Sequence, residues 1–330
     1  MNVYLGIDIG SVSSNFIMMN NQKEIIKNIY RRTLGNPVKA IQTGFTDLMD
    51  GCEEVTVKGV GTTGSGRHLA ATLLGADVVK NEITAHAVAA AQFYPEVRTI
   101  IEIGGQDSKI IIMRDGIVHD FAMNTVCAAG TGSFLDQQAS RLNMAIEDFG
   151  GQAVKSRQSV RIAGRCGVFA ESDMIHKQQM GFPVEDIMMG LCEALVRNYL
   201  NNVAKGKKIE DLVVFQGGVA ANEGLRAAFE KVLGQNLHIP PYYNVMGAIG
   251  AAILALEKSQ GSRQNSRYKG CDYIMDGQFL SSSHECKGCP NLCEVVAIKR
   301  DQDILAYWGD RCKKWEGSLS QTEKANLQVV

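Results

Sequence analysis

The sequence predicts an α/β protein made of two related halves, followed by a small Cys-rich C-terminal module. Three observations predict it. Strand-like apolar runs alternate with helical segments, which is the order of elements in an α/β fold. One strand–turn–strand unit occurs twice: IDIGSVSSN at residues 7–15 aligns with IEIGGQDSK at 101–109, an offset of 94 residues. Self-similarity of this kind points to two halves of common design. Finally, composition shifts after Leu256 to a polar stretch, and five of the nine cysteines then fall between Cys271 and Cys312.

The bulk properties agree. A chain of 330 residues has room for about two domains, and 45% hydrophobic against 21% charged residues can build a sizeable core. The net charge of −1 offers no basic platform, so neither nucleic acid nor a membrane surface is expected as a partner. With 34 Gly against 6 Pro, the turns are glycine turns, which let backbone approach a phosphate closely. Nine cysteines cannot form a fully paired disulfide framework. The start MNVYLGIDIG has no basic segment and no apolar stretch leading to a cleavage site, so no secretory signal is expected. The longest charge-free apolar stretch, 245–256, falls short of the ~20 residues that span a bilayer. A soluble, cytoplasmic protein with reduced thiols is therefore expected, with clustered thiols serving metal or redox chemistry.

The elements follow in order. Residues 3–9 and 15–19 read as strands around a Gly/Ser turn, being rich in alternating and β-branched residues. Residues 82–93 read as a helix. Residues 99–113 repeat the strand–turn–strand unit. Helices are expected at 132–142 and 184–204. A strand at 212–215 runs into the glycine turn 215–222 and a helix at 225–233. The small residues at 245–252 start another helix. Residues 257–270 are polar and read as a linker. The predicted division is 1–98, 99–257, linker 258–270 and tail 271–330.

The glycine turns carry the chemistry. Consecutive backbone N–H groups in a tight turn satisfy phosphate oxygens without side-chain bulk. Gly10, Ser11, Ser13, Ser14 and Asn15 form one such turn. Gly104 and Gly105 form its partner, with Gly217, Gly218, Val219 and Asn222, and Gly247 and Ala248, as further small-residue turns. Asp8 and Glu102 at the strand ends suit a hydrated Mg²⁺. Gln106 or Asp107 is placed to orient an attacking water, and Lys109 to contact phosphate. No G-x-x-x-x-G-K-[ST] occurs, so this is not a Walker-type phosphate loop. A metabolite kinase would need a catalytic Asp facing a substrate hydroxyl, and no clear kinase word is present. A nucleotide-gated chaperone would need a peptide-binding domain that the tail has no room for.

The words GIDIGS from Gly6, IGGQD from Ile103, CAAGTG from Cys127, GRCGVF from Gly164 and GGVAAN from Gly217 resemble the BadF/BadG family of ATPases. More narrowly, they resemble activators of 2-hydroxyacyl-CoA dehydratases, in the actin-like, Hsp70-like, sugar-kinase superfamily. The resemblance covers about residues 1–257. It implies two ribonuclease-H-like subdomains binding ATP or ADP in their cleft, with Gly130 and Thr131 among the binding residues. It also implies a homodimer holding one 4Fe-4S cluster. The expected activity is ATP-driven one-electron reduction of a partner iron–sulfur protein, with ferredoxin or flavodoxin as electron donor. The first turn of that family ends in Lys, whereas this chain has Asn15; the repeat keeps Lys109.

Cys127 and Cys166 each precede a predicted helix, and helix starts favour thiolates and bound anions. A cubane needs four thiolates, so two per chain suffice on a two-fold axis. Spacing alone favours buried structural cysteines; the CAAGTG and GRCGVF words reverse that and assign them as ligands. In the tail, Cys286, Cys289, Cys293 and Cys312 form a thiol set for zinc or for a second iron–sulfur cluster. The tail resembles that of longer relatives acting on double-cubane cluster proteins, which makes such a protein the alternative partner to a dehydratase. Trp308 and Trp315 are expected to pack this module. Cys52 and Cys192 are expected to be plain thiols, with Cys192 on one helical face with Met188 and Leu195. The Gly-rich 59–68 segment is either a loop or a contact to the nucleotide or a partner.

Overall fold

The computed structural model describes every residue except 53, 125–127, 159, 263, 302, 313 and 316–330. The chain groups into two compact units, Met1–Asn81 with Gly247–Val330, and Glu82–Met246. The helix at 82–93 thus belongs to the second unit and most of the helix beginning at Met246 to the first, which differs from a simple division at 98 and 257.

The first unit opens with β1 (Asn2–Ile9), β2 (Ser13–Asn20), β3 (Ile25–Arg32), α1 (Pro37–Met49), β4 (Thr56–Thr63), α2 (Arg67–Leu74) and β5 (Val78–Val79). Its sheet runs β3-β2-β1-β4-β5. β1 and β2 are buried along nearly their whole length, as apolar strands in the middle of a covered sheet must be. β3 alternates half-buried and exposed residues, the signature of an edge strand with one wet face. Asn36 caps α1 by accepting from the Lys39 N–H at 3.0 Å, and Pro37 supplies the preset φ of a first helical turn. Val38, Ile41, Phe45 and Leu48 then face inward.

The second unit contains α3 (Glu82–Phe93), β6 (Thr99–Ile103), β7 (Ser108–Arg114), β8 (Ile117–Asn124), α4 (Gly132–Arg141), α5 (Ile146–Ala153), α6 (Gly167–Gln179), α7 (Val184–Asn202), β9 (Val213–Gln216) and α8 (Glu223–Leu233). Its sheet runs β8-β7-β6-β9. An antiparallel β6–β7–β8 meander continues into a parallel β6–β9 pair, the same order as β3-β2-β1-β4. The expected repeat is therefore a repeat of topology. Its core gathers Ile101, Ile103, Ile110, Leu191, Leu195, Tyr199, Phe215 and Phe229. Cys192 is fully buried on α7 beside Met188 and Leu195, as the helical spacing predicts.

The rest of the first unit is α9 (Met246–Gln260), α10 (Cys271–Met275), β10 (Phe279–Glu285), β11 (Glu294–Arg300) and β12 (Asp303–Trp308). Two expectations change here. The segment read as a linker begins inside α9 and is then tied down. Ser266 Oγ donates to Asp77 Oδ2 at 2.6 Å, the Arg267 N–H to Asp77 Oδ1 at 2.8 Å, and Lys269 Nζ to Thr72 O at 2.8 Å. Its last polar residues thus bond α2 and the turn after it, while Glu257, Lys258, Gln260, Gln264 and Asn265 stay exposed. The tail is not a separate module either. Ile274, Phe279 and Ile298 are buried in the same core as Val3, Ile7, Ile41 and Phe45, and Gln42 Nε2 donates to Ile274 O and Gly277 O. Among the described residues no helix is long and apolar enough to cross a membrane.

Candidate nucleotide site and cysteine loops

Each sheet carries one acidic turn, and the two turns are built alike. Asp8 on β1 lies opposite Asn15 on β2 and Thr63 on β4. Glu102 on β6 lies opposite Lys109 on β7 and Gln216 on β9. The Gly10 N–H donates to Ser13 O at 2.8 Å, and the Gly104 N–H donates to Asp107 O at 3.0 Å. Directly after Thr63 and Gln216 come Gly64 and Gly217, with φ of 88° and 92°. A Cβ on Gly64 would fall 2.5 Å from Asp8 Oδ1, and one on Gly217 would fall 2.8 Å from Glu102 Oε1. Backbone passes so close beneath each carboxylate that only glycine fits, in a conformation that only glycine adopts readily.

The two turns differ in charge. Lys109 is 2% exposed and its ammonium lies 2.8 Å from Glu82, 2.9 Å from Glu102 and 2.8 Å from Asp107. Burial alone would lower its pKa, but Glu102, Glu82 and Asp107 outweigh burial and hold it well above the ordinary value. Burial pushes the Glu102 carboxyl up to about 7, against the pull of Lys109. Gln216 Nε2 lies 3.0 Å from His86 Nδ1. Burial, with Lys109 nearby, drops His86 to about 3, so the neutral ring accepts from the Gln216 amide. The sequence reading aimed Lys109 at a phosphate; its donors face three carboxylates instead. Glu82 and His86, one helical turn apart on α3, were missed; their spacing by four was the available signal. In the first unit, Asn15 Oδ1 and the Thr63 hydroxyl, both at the Asp8 register, are buried with no hydrogen-bond partner in the described structure. Such orphaned polar atoms beside a carboxylate suit a polar ligand.

Other expected residues fall in several places. Ser14 and Thr33 hydroxyls meet at 2.9 Å, and Thr33 donates to Gly10 O at 2.9 Å. Ser14 therefore braces the first turn from behind; Thr33 was not anticipated. Ser11 and Gln106 are exposed, while Ser13, Gly105 and Asp107 are half-buried. Gly218 and Val219 lie in a short 3-10 turn, Gly218–Ala221. Asn222 caps α8 by accepting from the Leu225 N–H at 3.0 Å. Gly247 is buried, and Ala248 is 0% exposed with its carbonyl against Gly6. That places Ala248 in the packing of α9 on β1. In the 59–68 segment, Thr63 and Gly64 join the Asp8 turn.

The segment after Cys127 docks on the second acidic turn. Cys127 itself lies outside the described residues. Gly132 N–H donates to Gly104 O at 2.9 Å and Ser133 N–H to Gly105 O at 2.8 Å, so the start of α4 is fastened to the glycine turn. The Gly130 carbon sits against Asn198 Oδ1, and Asn198 Nδ2 donates to Gly164 O at 2.6 Å. Cys166 is the half-buried residue preceding the first turn of α6. Close after it in α6, Val168 is 70% and Phe169 65% exposed.

The sequence profile of the BadF/BadG/BcrA/BcrD ATPase family matches residues 5–255. The chain belongs to this family. It is 36% identical over 264 residues to the (R)-2-hydroxyglutaryl-CoA dehydratase activating ATPase of Acidaminococcus fermentans, covering 78% of this chain and 99% of that one. The crystal structure of component A of that dehydratase superposes with a TM-score of 0.72 at 33% identity, over 79% of this chain and 100% of the other. The activator of 2-hydroxyisocaproyl-CoA dehydratase from Clostridium difficile, solved with bound ADPNP, gives 0.74 at 30% identity, over 79% and 97%. The mixed sheets of this chain therefore share their fold with these two activators.

The BadF/BadG match stops at residue 255, so the tail lies beyond it. Cys286 and Cys293 face each other at the base of the β10–β11 loop, where the Cys286 N–H donates to Cys293 O at 2.8 Å. Hydrogen bonds from the Trp315 side chain and the Gly288 N–H hold the Cys286 thiol below its usual range. Trp315 also packs edge-on to His284 at 4.7 Å. Among the described residues no three His, Cys, Asp or Glu side chains stand together as a metal-ligand group. The expected tail metal site is thus not preformed there.

Proposed function

We propose that this chain is an ATP-hydrolysing activator, a one-electron reductase that serves a partner iron–sulfur protein such as a 2-hydroxyacyl-CoA dehydratase. The observation that carries the reading is the fastening of α4 to the Gly104–Gly105 turn. It ties a phosphate-type turn to the loop that bears Cys127. In this proposal Asp8 and Glu102 hold the Mg²⁺ of bound ATP through water, which suits a cation that dehydrates reluctantly. The orphaned Asn15 Oδ1 and Thr63 hydroxyl then receive partners. Gln106, exposed beside the turn, orients the attacking water, and Asp107 keeps Lys109 in place.

Cys127 and Cys166 of two copies of the chain would hold one shared 4Fe-4S cluster. What is described of Cys166 fits that role: a half-buried thiol before a helix start, where N–H groups stabilise an anion. When bound, the cluster supplies the single electron. Exposed Val168 and Phe169 supply apolar surface for the homodimer. The relatives' names favour a dehydratase as partner; a double-cubane cluster protein is the alternative, and ferredoxin or flavodoxin the donor. The tail thiols enter only as a second set, for zinc or iron–sulfur, that needs the 286–293 loop to close around the ion.

Anaerobic purification with iron, sulfide and zinc counts tests this reading. About two irons per chain, lost in Cys127→Ala and in Cys166→Ala, are expected for one shared cubane. No iron after anaerobic reconstitution would sink the reductase reading. Zinc lost in Cys289→Ser would assign the tail.

A further inference from the structure

We infer that Asn198 is a positioning residue that couples the second acidic turn to both cysteine-bearing loops. The inference deepens the proposed function and rests on it. Asn198 is 2% exposed on α7, between Val196 and Tyr199 of a helix face buried in apolar core. An amide in such a place is unfavourable unless it is bonded.

Its two ends address two different loops. Nδ2 donates to Gly164 O at 2.6 Å, two residues before Cys166. Oδ1 is buried without a hydrogen-bond partner in the described structure and faces Gly130, where a Cβ would lie 2.7 Å away. Gly130 is three residues past Cys127. Asn124 Nδ2, at the end of β8, flanks the same point, 3.4 Å from that Cβ.

Two further connections run from α7 to the acidic turn. The next residue, Tyr199, donates its hydroxyl to Lys109 O at 2.7 Å. The Gly130 loop continues into Gly132 and Ser133, which donate to Gly104 O and Gly105 O. A change at the glycine turn therefore reaches Asn198 through β7 and Tyr199, and through α4 and Gly130. Asn198 passes it to Gly164 through one hydrogen bond. Oδ1, unpartnered and facing Gly130, and Nδ2, bonded to Gly164 O, give one rigid amide a contact with each loop.

The test uses the full-length, cluster-free protein, so that it does not depend on iron. Alkylation of Cys166 is followed by peptide mass spectrometry with and without saturating Mg·ADPNP. In the natural protein the nucleotide is expected to change the rate about fivefold or more, the ordinary size of a coupling between sites. In Asn198→Ala the ratio is expected to fall to nearly one. Asn198→Asp keeps the volume but loses the donor to Gly164, and serves if the alanine variant does not fold. A purely structural role would alter both rates and leave their ratio intact; that result overturns the inference, as does a natural protein with no nucleotide response at Cys166. If the ratio collapses as expected but no iron is ever incorporated, the coupling stands and the electron-transfer reading falls.

Discussion

Lys109 and Glu102 face each other across β6 and β7 with Nζ 2.9 Å from Oε2, at the register where Asn15 faces Asp8 in the first sheet. The second turn thus carries a lysine at the position where the first carries Asn15. Glu82 and Asp107 share that ammonium, so three carboxylates meet at one buried charge. Removing it leaves the buried Glu102 carboxyl without its cation. Lys109→Met is expected to destabilise the fold by about 3–5 kcal/mol, the range for breaking a buried ion pair from one side. Denaturant unfolding measures this. A variant of normal stability with only a raised KM for ATP would return Lys109 to the phosphate-contact role.

Gly64 and Gly217 occupy matching positions beneath Asp8 and Glu102 with positive φ. A methyl group at either meets backbone oxygen and the carboxylate. Gly64→Ala and Gly217→Ala are each expected to lower ATP hydrolysis on the order of 10²-fold, since a displacement of about 1 Å in a reacting geometry has that effect. Steady-state ATPase rates check it. A similar loss from both variants is the specific expectation, because the two turns are equivalent in structure.

That equivalence was legible because short-range patterns encode it. The two strand–turn–strand units are contiguous, and the acid, glycine and following strand sit at matching positions. The partners of Lys109 were not legible in the same way. Glu82 lies far upstream on a helix, and nothing near Lys109 names it. Thr33 and Asn198 act on turns distant in sequence through single hydrogen bonds, which leave no periodicity. The tail misled for a related reason. Ile274, Phe279 and Ile298 bury against the first core from three short elements, so no amphipathic stripe announces them. The polar 266–269 stretch looks like a linker until Asp77 and the α2 carbonyls are seen to take its donors.

His86 sets a pH signature. Its pKa is about 3 in the fold against about 6.5 in an unfolded chain. The unfolded state alone therefore takes up this proton between those values. His86 favours the fold fully above pH 6.5, and that contribution is lost as pH falls towards 3, by about 1.4 kcal/mol per unit. Glu102, with its raised pKa, has the opposite slope from about 4.5 to 7, so total stability conceals both. The difference between the natural protein and His86→Asn isolates the histidine. That difference is expected to shift against the natural protein steadily below pH 6.5 in urea titrations. A difference independent of pH would mean that the ring is protonated in the fold.

The tail gives the last prediction. Ile274 is 0% exposed and Ile298 1%, in one core with Phe45 of α1 and Leu73 of α2. The segment leading to them is held by Asp77, which accepts from Ser266 and Arg267 and also from the Val60 N–H on β4 at 2.9 Å. The tail is thus bonded through one carboxylate to the strand that ends in Thr62 and Thr63, beside Asp8. Ile274→Ala is expected to cost about 2–5 kcal/mol, as for any large aliphatic emptied from a core. Asp77→Asn should weaken both attachments and lower the melting temperature by several degrees. If the tail were an independent metal module, Ile274→Ala would leave unfolding of the ATPase core unchanged, and only metal retention would respond. Calorimetry of the full chain distinguishes the two, because a tail sharing the core melts with it in one transition.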